Sequence, residues 1–297
     1  MRGKQRYKCT DCGHVFQNKS RKPKSVTHQK DIIELMWNDY CFGKQTYSQI
    51  AEKYWVSMRS IQTLLDSYEF ISPIVMPSSI VLIMDTTYFW DIWVMVFKDA
   101  YSKKILHYKI VVNENNYDYK QGVKELQQQW WKILAIVCDG RRWLLDGFHT
   151  LGIPTQMCQF HQAAILRRYI TKKPLLQANK DLKELWALLT VTDRETFEYE
   201  LERYYKKYEV FLKEKRINKK WRGEYMHKRT RSAYFSLKRN LNYLFCWYDY
   251  IWTIDIPNTT NALEWVFGHL KGKVSLHRWL KKERKVKLIL SLLHWKN

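Results

Sequence analysis

Ile80-Val81-Leu82-Ile83-Met84-Asp85 is the stretch of this chain that decides its fold. Five consecutive apolar residues, three of them β-branched, favour a strand that is buried on both faces. A carboxylate directly after such a run lies at the carboxyl end of the strand, where α/β sheets open onto their binding crevice. The run from Ile133 to Cys138 ends on Asp139 in the same way. The sequence therefore predicts two acidic side chains at one edge of a buried sheet.

The segments around these two runs predict the rest of the sheet. Residues 92–97 and 105–112 are β-branched and aromatic runs with short polar connections, so we expect antiparallel pairing. A helix is predicted over 117–131, and another lies between Asp139 and a short strand at 155–158. The predicted fold class is α/β, with the order β-β-β-α-β-α-β-α and the mixed sheet of a ribonuclease-H-like core.

Changes in composition divide the chain into five predicted segments. A basic, partly zinc-ribbon-like arm comes first, and a small helical module follows it. The first part of the core is then interrupted by an all-helical insertion, rich in Leu, Lys, Glu, Tyr and Trp, and the last segment completes the core with a glutamate-bearing helix and a basic tail. In order, the segments are 1–27, 28–71, 72–170, 171–250 and 251–297.

Three apolar stripes at helical spacing mark the small helical module. They comprise Ile32, Ile33, Met36, Trp37 and Tyr40, then Ile50, Ala51 and Tyr54, then Ile61, Leu64 and Leu65. Ser57 follows a short turn and suits the cap of the third helix. Three short helices with a tight turn before the last describe a helix-turn-helix, which would present Ser57, Arg59 and Gln62 to DNA. Any three-helix packing module fits the same pattern.

Net charge is the strongest compositional signal, because 51 Lys and Arg against 29 Asp and Glu give a formal +22. Residues 1–30 and 268–297 each carry nine basic side chains and one acidic one. A polyanion is the best partner for such ends, since each Lys or Arg on a phosphate releases counterions. An anionic membrane is the alternative, but no apolar run approaches the roughly 18 residues of a spanning helix. We therefore expect double-stranded DNA as partner and no membrane.

The six cysteines are scattered over the chain, and no N-terminal signal pattern is evident. This distribution favours reduced thiols and a cytoplasmic location rather than a disulfide framework. Cys9-x-x-Cys12 has the spacing of half a zinc site, but only His14 and His28 are near enough to complete the four ligands that zinc wants. Zinc at Cys9 and Cys12 is thus a secondary expectation, with either a second pair upstream of Met1 or a decayed ribbon as its explanation.

The third acidic candidate is Glu264, in the stretch Pro257-Asn258-Thr259-Thr260-Asn261-Ala262-Leu263-Glu264. Asn258 is predicted to cap a helix with an apolar stripe at i, i+3 and i+7, formed by Leu263, Val266 and Leu270. Glu264 lies off this stripe, on a small polar face that suits the wall of a cleft. Taken singly, an acidic residue of this kind is more often a solvated surface group.

Three carboxylates from different segments suit the cleavage of a phosphodiester bond. Two Mg²⁺ ions about 3.5–4 Å apart stabilise both the attacking and the leaving oxygen of such a reaction. Mg²⁺ and Mn²⁺ take oxygen ligands, and several carboxylates supply them while balancing the metal charge. Asp85, Asp139 and Glu264 therefore form a candidate site for these ions.

Four motifs carry a family resemblance over nearly the whole chain. They are Met84-Asp85-Thr86-Thr87, Val137-Cys138-Asp139-Gly140, Cys158-Gln159-Phe160-His161-Gln162 and Thr259-Thr260-Asn261-Ala262-Leu263-Glu264. In order and spacing the chain resembles bacterial insertion-sequence transposases of the Mutator-like superfamily. The resemblance implies that Asp85, Asp139 and Glu264 bind the catalytic Mg²⁺ or Mn²⁺. It also implies that the 125 residues from Asp139 to Glu264 contain the helical insertion of these enzymes.

The resemblance extends to supporting residues. By spacing alone Cys158 and His161 form half a zinc site, or else a buried thiol and a hydrogen-bonded imidazole at a strand-to-helix junction. The resemblance instead implies that His161 contacts DNA or supports the triad, with Cys158 and Asn261 beside it. Synapsis of two element ends implies a homodimer or a larger assembly.

A basic run follows the glutamate-bearing helix and includes Lys271, Lys273 and Arg278. A charge run is usually a solvated face, but next to a DNA cleft we expect phosphate contacts. The sequence as a whole predicts a transposase that binds the terminal inverted repeats of a mobile element, cleaves strands and joins them to target DNA. Its rivals are a non-enzymatic helix-turn-helix regulator, which needs no strand-end carboxylates, and a metal-dependent nuclease of the same fold.

Overall fold

The computed structural model describes residues 7–16, 26–69, 75–217, 223–277 and 280–294. The chain divides into two compact units, residues 1–71 and 72–297. The larger unit is an α/β structure with a mixed five-stranded sheet. Among the helices in these described ranges, none combines the length and apolar character that crossing a bilayer requires.

The smaller unit contains a short antiparallel hairpin and three helices. The hairpin strands are β1 (Tyr7–Lys8) and β2 (Val15–Phe16), and the helices are α1 (Val26–Cys41), α2 (Tyr47–Tyr54) and α3 (Met58–Ser67). Met36, Trp37, Ile50 and Ile61 are buried between the helices, as their spacing predicts. The predicted cap is also confirmed, because the Ser57 hydroxyl accepts the backbone N–H of Ser60 at 3.1 Å.

The turn between α2 and α3 contains a strained residue. Trp55 has φ 56° and ψ 41°, the left-handed conformation that ends many helices and that costs a non-glycine residue about 1–2 kcal/mol. Its side chain is 94% exposed, so the indole contributes almost no packing in return. Backbone conformation, rather than burial, therefore decides the effect of a substitution here.

We expect Trp55→Gly to stabilise α2 and α3 by about 1 kcal/mol, because glycine adopts this conformation without a steric penalty. Amide hydrogen exchange of peptides from residues 47–67 should slow about fivefold, which is the factor that corresponds to this energy. Trp55→Ala removes the same ring but keeps a Cβ, so it should leave the exchange rates nearly unchanged. Faster exchange in Trp55→Gly would mean that the indole makes stabilising contacts.

Eight elements in succession build the sheet unit. They are β3 (Ser79–Phe89), β4 (Ile92–Asp99), β5 (Ile105–Val111), α4 (Asn116–Gln128), β6 (Lys132–Cys138), α5 (Arg142–His149), β7 (Thr155–Met157) and α6 (Gln159–Tyr169). The strand order across the sheet is β5-β4-β3-β6-β7. β3 is central, antiparallel to β4 on one side and parallel to β6 on the other. The predicted α/β class and mixed sheet are confirmed.

The prediction that β3 ends at Asp85 is wrong. The strand continues through Thr86, Thr87 and Tyr88 to Phe89, because these β-branched and aromatic residues pair with β4 as far as the hairpin turn. The parallel pairing with β6, however, ends at Ile83 opposite Val137. Asp85 therefore lies just beyond the end of the parallel part of the sheet, although it is inside a strand.

The inserted segment is mostly helical, with α7 (Gln177–Ala187), a 3₁₀ turn (Leu188–Thr190), α8 (Arg194–Lys213), α9 (Lys228–Leu244) and α10 (Cys246–Asp249). It also contains an antiparallel hairpin of β8 (Lys215–Ile217) and β9 (Gly223–Tyr225), so the all-helical prediction is wrong in this detail. The side chains of β8 are exposed throughout, and a strand without a buried face leaves no apolar alternation to recognise. Phe197 and Leu237 share one buried cluster with Leu82 and Met84, so the insertion and the sheet have a common core.

Two helices end the chain, α11 (Asn261–Ser275) and α12 (Lys282–His294). The apolar stripe of α11 is confirmed, since Leu263, Val266 and Leu270 are buried. Asn258 does not cap this helix. Thr260 occupies the cap position, because the Asn258 carbonyl accepts the backbone N–H of Gln159 at 2.9 Å and this bond keeps Asn258 outside the helix.

Candidate metal centre

The sheet register brings Asp85 and Asp139 to the same level. Ile83 pairs with Val137 across the parallel strands, and each aspartate follows its paired residue by two positions. Neighbouring strands lie about 4.8 Å apart. The two acidic residues predicted from the apolar runs are therefore neighbours at the edge where β3 and β6 part.

A sulfur-centred contact positions α11 over this edge. Cys158 lies between β7 and α6, is fully buried, and accepts two hydrogen bonds from Thr260, one from the backbone N–H at 3.2 Å and one from the hydroxyl at 3.3 Å. Lys98 on β4 adds a hydrogen bond from its ammonium to the Ala262 carbonyl at 3.3 Å. The first turn of α11, which carries Glu264, is thus tied to the sheet at two points.

The cluster that forms here consists of Asp85, His161 and Glu264. One ligand atom from each side chain lies within 4.8 Å of the others. The His161 Nε2 atom is 3.9 Å from Glu264 Oε1. Asp85 is 6% exposed, whereas the side chain of Glu264 is 45% exposed, so the cluster reaches from the buried sheet to solvent. Two carboxylates and one imidazole are a donor set that can hold one divalent cation.

The predicted metal-binding trio is therefore only partly brought together. His161, which was predicted only as a supporting residue, joins Asp85 and Glu264 in the cluster, because it lies in the first turn of α6 beside Glu264. Asp139 is near enough to raise the pKa of Asp85 electrostatically, but its own carboxylate faces Arg141, whose Nε is 3.6 Å from Oδ2. Asn261, the other predicted supporting residue, is exposed at the first position of α11.

A chain of hydrogen bonds, completed by the ion pair of Arg141 with Asp139, connects the two aspartates, and most of its residues were not singled out from the sequence. Arg141 donates to Glu114, and the hydroxyl of Tyr119 donates to the same carboxylate at 2.9 Å. The Thr86 hydroxyl is 2.8 Å from the Tyr119 oxygen, and the Thr86 backbone N–H donates to Asp85 at 2.8 Å. This chain restrains Asp85 and Asp139 relative to one another.

Burial is the main influence on Asp85. It raises the pKa of this carboxyl to about 7, with a further rise from the charges of Asp139 and Glu264, while His161 and the Thr86 N–H act in the opposite direction. Burial alone would lower the pKa of His161, but the neighbouring Cys158 thiol and the charges of Asp139 and Asp85 raise it to about 9. At neutral pH the imidazole is therefore cationic and balances part of the negative charge around it.

Cys158 is better described as an anchor than as a zinc ligand. Burial raises the pKa of its thiol, but the neighbouring His161 imidazole and the hydrogen bonds from Thr260 outweigh burial and lower it overall. No group of three or more metal-ligating side chains within the described residues includes Cys158. The Cys158-x-x-His161 spacing thus serves two tasks, because the thiol fixes α11 while the imidazole joins the carboxylates.

The residues predicted to bind DNA are spread over both units. On α3, Arg59 is exposed and Gln62 half-buried, while the side chain of Ser57 is used as a helix cap. On α11, Lys271 is exposed, but Lys273 is only 8% exposed, so the expected phosphate contact of Lys273 is not supported by its position. Arg278 lies outside the described residues.

Cys9 and Cys12 occupy the tip of the β1–β2 hairpin. The backbone N–H groups of Cys12 and Asp11 lower the pKa of the Cys9 thiol, in that order of strength. Gly13 turns the chain back with φ 71°. Within residues 7–16 and the other described ranges, no third ligand joins these two thiols.

Comparison with known proteins adds no relative, because no family model and no curated protein matches this chain. The resemblance to Mutator-like transposases stays a prediction from the four motifs. The functional argument therefore rests on the geometry of the cluster.

Proposed function

We propose that the chain is a DNA transposase, which binds the ends of a mobile element and catalyses metal-dependent strand cleavage and strand transfer. One observation carries the proposal: Asp85, His161 and Glu264, from three distant segments, converge within 4.8 Å at the edge of the sheet. A formal net charge of +22 supplies the attraction for a polyanionic substrate. Double-stranded DNA is the substrate in this proposal, and two or more chains act together on two element ends.

The order of elements supports a ribonuclease-H-like catalytic core as part of the proposal. Residues 79–169 follow the order β-β-β-α-β-α-β-α that we expected of such a core. The inserted helices and hairpin come next, and α11 then brings Glu264 back to the edge of the sheet. This arrangement matches a catalytic domain whose last carboxylate arrives after a long insertion.

The donor set favours Mn²⁺ over Mg²⁺ at this cluster. Mg²⁺ takes oxygen ligands almost without exception, whereas Mn²⁺ shares the preference for carboxylates but also accepts an imidazole nitrogen. Asp85, Glu264 and the Nε2 atom of His161 would hold the ion, which would displace the proton that the imidazole carries in the metal-free protein. Such an ion lowers the pKa of bound water and stabilises charge on phosphoryl oxygens.

The protein's own groups would prepare the site for a phosphodiester. Glu264 is 45% exposed, so a DNA phosphate could reach its carboxylate from solvent. Arg141 lies beside Asp139 with 38% of its side chain exposed, so its guanidinium has room to contact a phosphate. The contacts of Cys158 and Lys98 hold α11 in place while the exposed face of the cluster binds substrate.

The proposal is tested by incubating the full chain with linear DNA that carries both sequences flanking its coding region, together with a target plasmid. Mn²⁺ should produce 3′-end cleavage and joined products, and EDTA should prevent both. Joined products are the decisive readout, since cleavage without joining would reduce the function to that of a nuclease. DNA binding without either product would exclude both enzymes and support the alternative function of a non-enzymatic DNA-binding regulator.

Two glutamate variants separate the site from general charge effects. Glu264→Gln should lose both products, because the substitution removes a charged ligand and keeps the side-chain volume. Glu283→Gln removes one negative charge from an exposed position in the first turn of α12 and should retain both products. Equal activity of Glu264→Gln and the wild type would refute the assignment of the site.

A further inference from the structure

A cavity of about 300 Å³ opens between α6 and α7, in the unit that contains the metal centre. Its size is at the lower end of the range for small-ligand sites, about 300–1,000 Å³. Its walls are mainly apolar and include one indole, and three exposed basic residues of the lining form what we call its basic rim. The walls include Leu166, Ile170 and Trp186, and the basic residues are Arg167, Lys172 and Lys183.

The guanidinium of Arg167 links this cavity to the metal centre. It lies 5.2 Å from the ring centroid of Trp186 and 5.7 Å from that of Phe160. The Phe160 ring is 42% exposed, and its centroid is 6.2 Å from the imidazole of His161. A row of aromatic and cationic groups therefore runs from the candidate metal ligand His161 to the cavity.

The length of this row suits a few nucleotides. His161 and Arg167 are six residues apart on α6, which is about 9 Å along the helix axis. A duplex strand advances about 3.4 Å per base, so the row covers roughly three base steps. If one phosphate of a strand lies at the metal centre, a base about three nucleotides away along the same strand can thus reach the cavity.

We propose that this cavity binds an unpaired nucleobase of the DNA strand held at the metal centre. The inference rests on the proposed function, and it adds the place at which the protein binds the end of the DNA strand. An indole and a guanidinium plane are the groups on which unpaired bases stack, and apolar walls accept the faces of a base removed from its duplex. The basic rim can contact the phosphates on either side of that base. A purely apolar ligand would make no favourable contact with these charges, so the rim favours a nucleotide.

Lys183 illustrates how the rim is built. Its ammonium is exposed and donates a hydrogen bond to the Lys172 carbonyl at 3.0 Å, which restrains this cation beside the cavity. Arg167 is exposed and lies against two rings. Both cations are therefore placed beside the apolar space before any ligand arrives, as a preorganised site requires.

The test compares two fluorescein-labelled hairpin duplexes, one blunt and one with a short unpaired tail of thymines. Binding to the full chain is measured by fluorescence anisotropy without divalent metal, so that no strand is cut. The wild type should bind the tailed duplex about tenfold more tightly than the blunt one, within the range of one base–aromatic stack. Trp186→Leu should lose this preference and keep its affinity for the blunt duplex, whereas Trp186→Phe should retain most of the preference.

Two further variants guard the interpretation. Arg167→Gln should lower the preference for the tail about threefold, and it gives a second measurement if Trp186→Leu does not fold, which thermal unfolding will reveal. Arg239→Gln, an exposed cation on α9 outside the cavity, should change both affinities by the same factor. Tail preference that persists in folded Trp186→Leu, or is absent from the wild type, would overturn the proposal.

The outcome for the cavity is separable from the outcome for the enzyme. A Trp186-dependent tail preference in a chain that never cleaves DNA with Mn²⁺ would support the cavity and refute the transposase. Cleavage and joining by a chain whose tail preference does not depend on Trp186 would support the transposase and refute the role of the cavity. A chain that binds neither duplex would refute both.

Discussion

Replacing Asp85 with asparagine should reduce Mn²⁺-dependent DNA cleavage by at least about 1,000-fold, a loss of roughly 4 kcal/mol of transition-state stabilisation. Asp85 is the most buried member of the cluster, and it is held by the Thr86 N–H and by the pairing of β3 with β4. Asparagine keeps its shape but removes the anionic oxygen that a cation requires. Single-turnover cleavage of labelled DNA at saturating Mn²⁺ would measure the effect.

The same substitution should stabilise the metal-free protein. A carboxyl whose pKa rises from 3.8 to about 7 on folding holds its proton more tightly in the folded chain, so stability falls as the pH increases from about 4 to about 7. Asparagine removes this loss. At pH 8 with EDTA, we expect Asp85→Asn to raise the free energy of unfolding by about 2 kcal/mol, which is below the ceiling set by the full shift because the amide N–H groups also need partners. Denaturant unfolding would show it.

Asp99→Asn is the matched control for the loss of cleavage. Asp99 is a buried aspartate on the neighbouring strand β4, 3% exposed, and it accepts the Ser102 N–H at 2.8 Å outside the cluster. Its substitution should leave the cleavage rate within a factor of about two, since it touches no member of the cluster. An Asp85→Asn protein that loses both activity and stability would show only that the fold needs this carboxylate.

The sheet edge could be predicted from the sequence because the signal is local. A run of apolar residues that ends on an aspartate predicts a buried strand and also the end of that strand at which the carboxylate lies. When two such strands are adjacent and parallel, their aspartates lie at the same edge of the sheet. The end of β3 was missed because Asp85 interrupts a strand whose later residues, Thr86 to Phe89, pair only with β4. Antiparallel pairing continues there after parallel pairing has stopped, and no local pattern distinguishes the two.

The partners of Asp139 could not be predicted, because they depend on contacts between distant segments. Glu114 precedes α4 and has no strand-end position of its own, yet its side chain is only 9% exposed and accepts hydrogen bonds from Arg141 and Tyr119. Likewise, the spacing of Cys158 and His161 suggested half a zinc site, and only the fold shows that the Cys158 sulfur accepts hydrogen bonds from Thr260 instead. Spacing identifies residue types that are able to bind metal, but the tertiary structure decides which of them face one another.

His161 and Asp139 are the two candidates for the third metal ligand, and they predict different effects of substitution on Mn²⁺ affinity. His161→Ala should weaken Mn²⁺ binding by about 100-fold, at the upper end of what altered coordination costs, because it removes one of the three converging donors. Asp139→Asn should weaken it only about threefold, since Asp139 acts through its charge and its carboxylate faces Arg141. Isothermal titration of the DNA-free chain with Mn²⁺ would give both constants.

His149→Ala provides the matched control, because His149 is an exposed imidazole at the end of α5 outside the cluster. Its Mn²⁺ affinity should equal that of the wild type. Equal losses in His161→Ala and Asp139→Asn would instead support a site in which all three predicted carboxylates bind metal, with Arg141 displaced. A large loss in Asp139→Asn alone would restore the trio predicted from the sequence. The ratio of the two constants therefore decides whether the cluster binds its ion through an imidazole or through a third carboxylate.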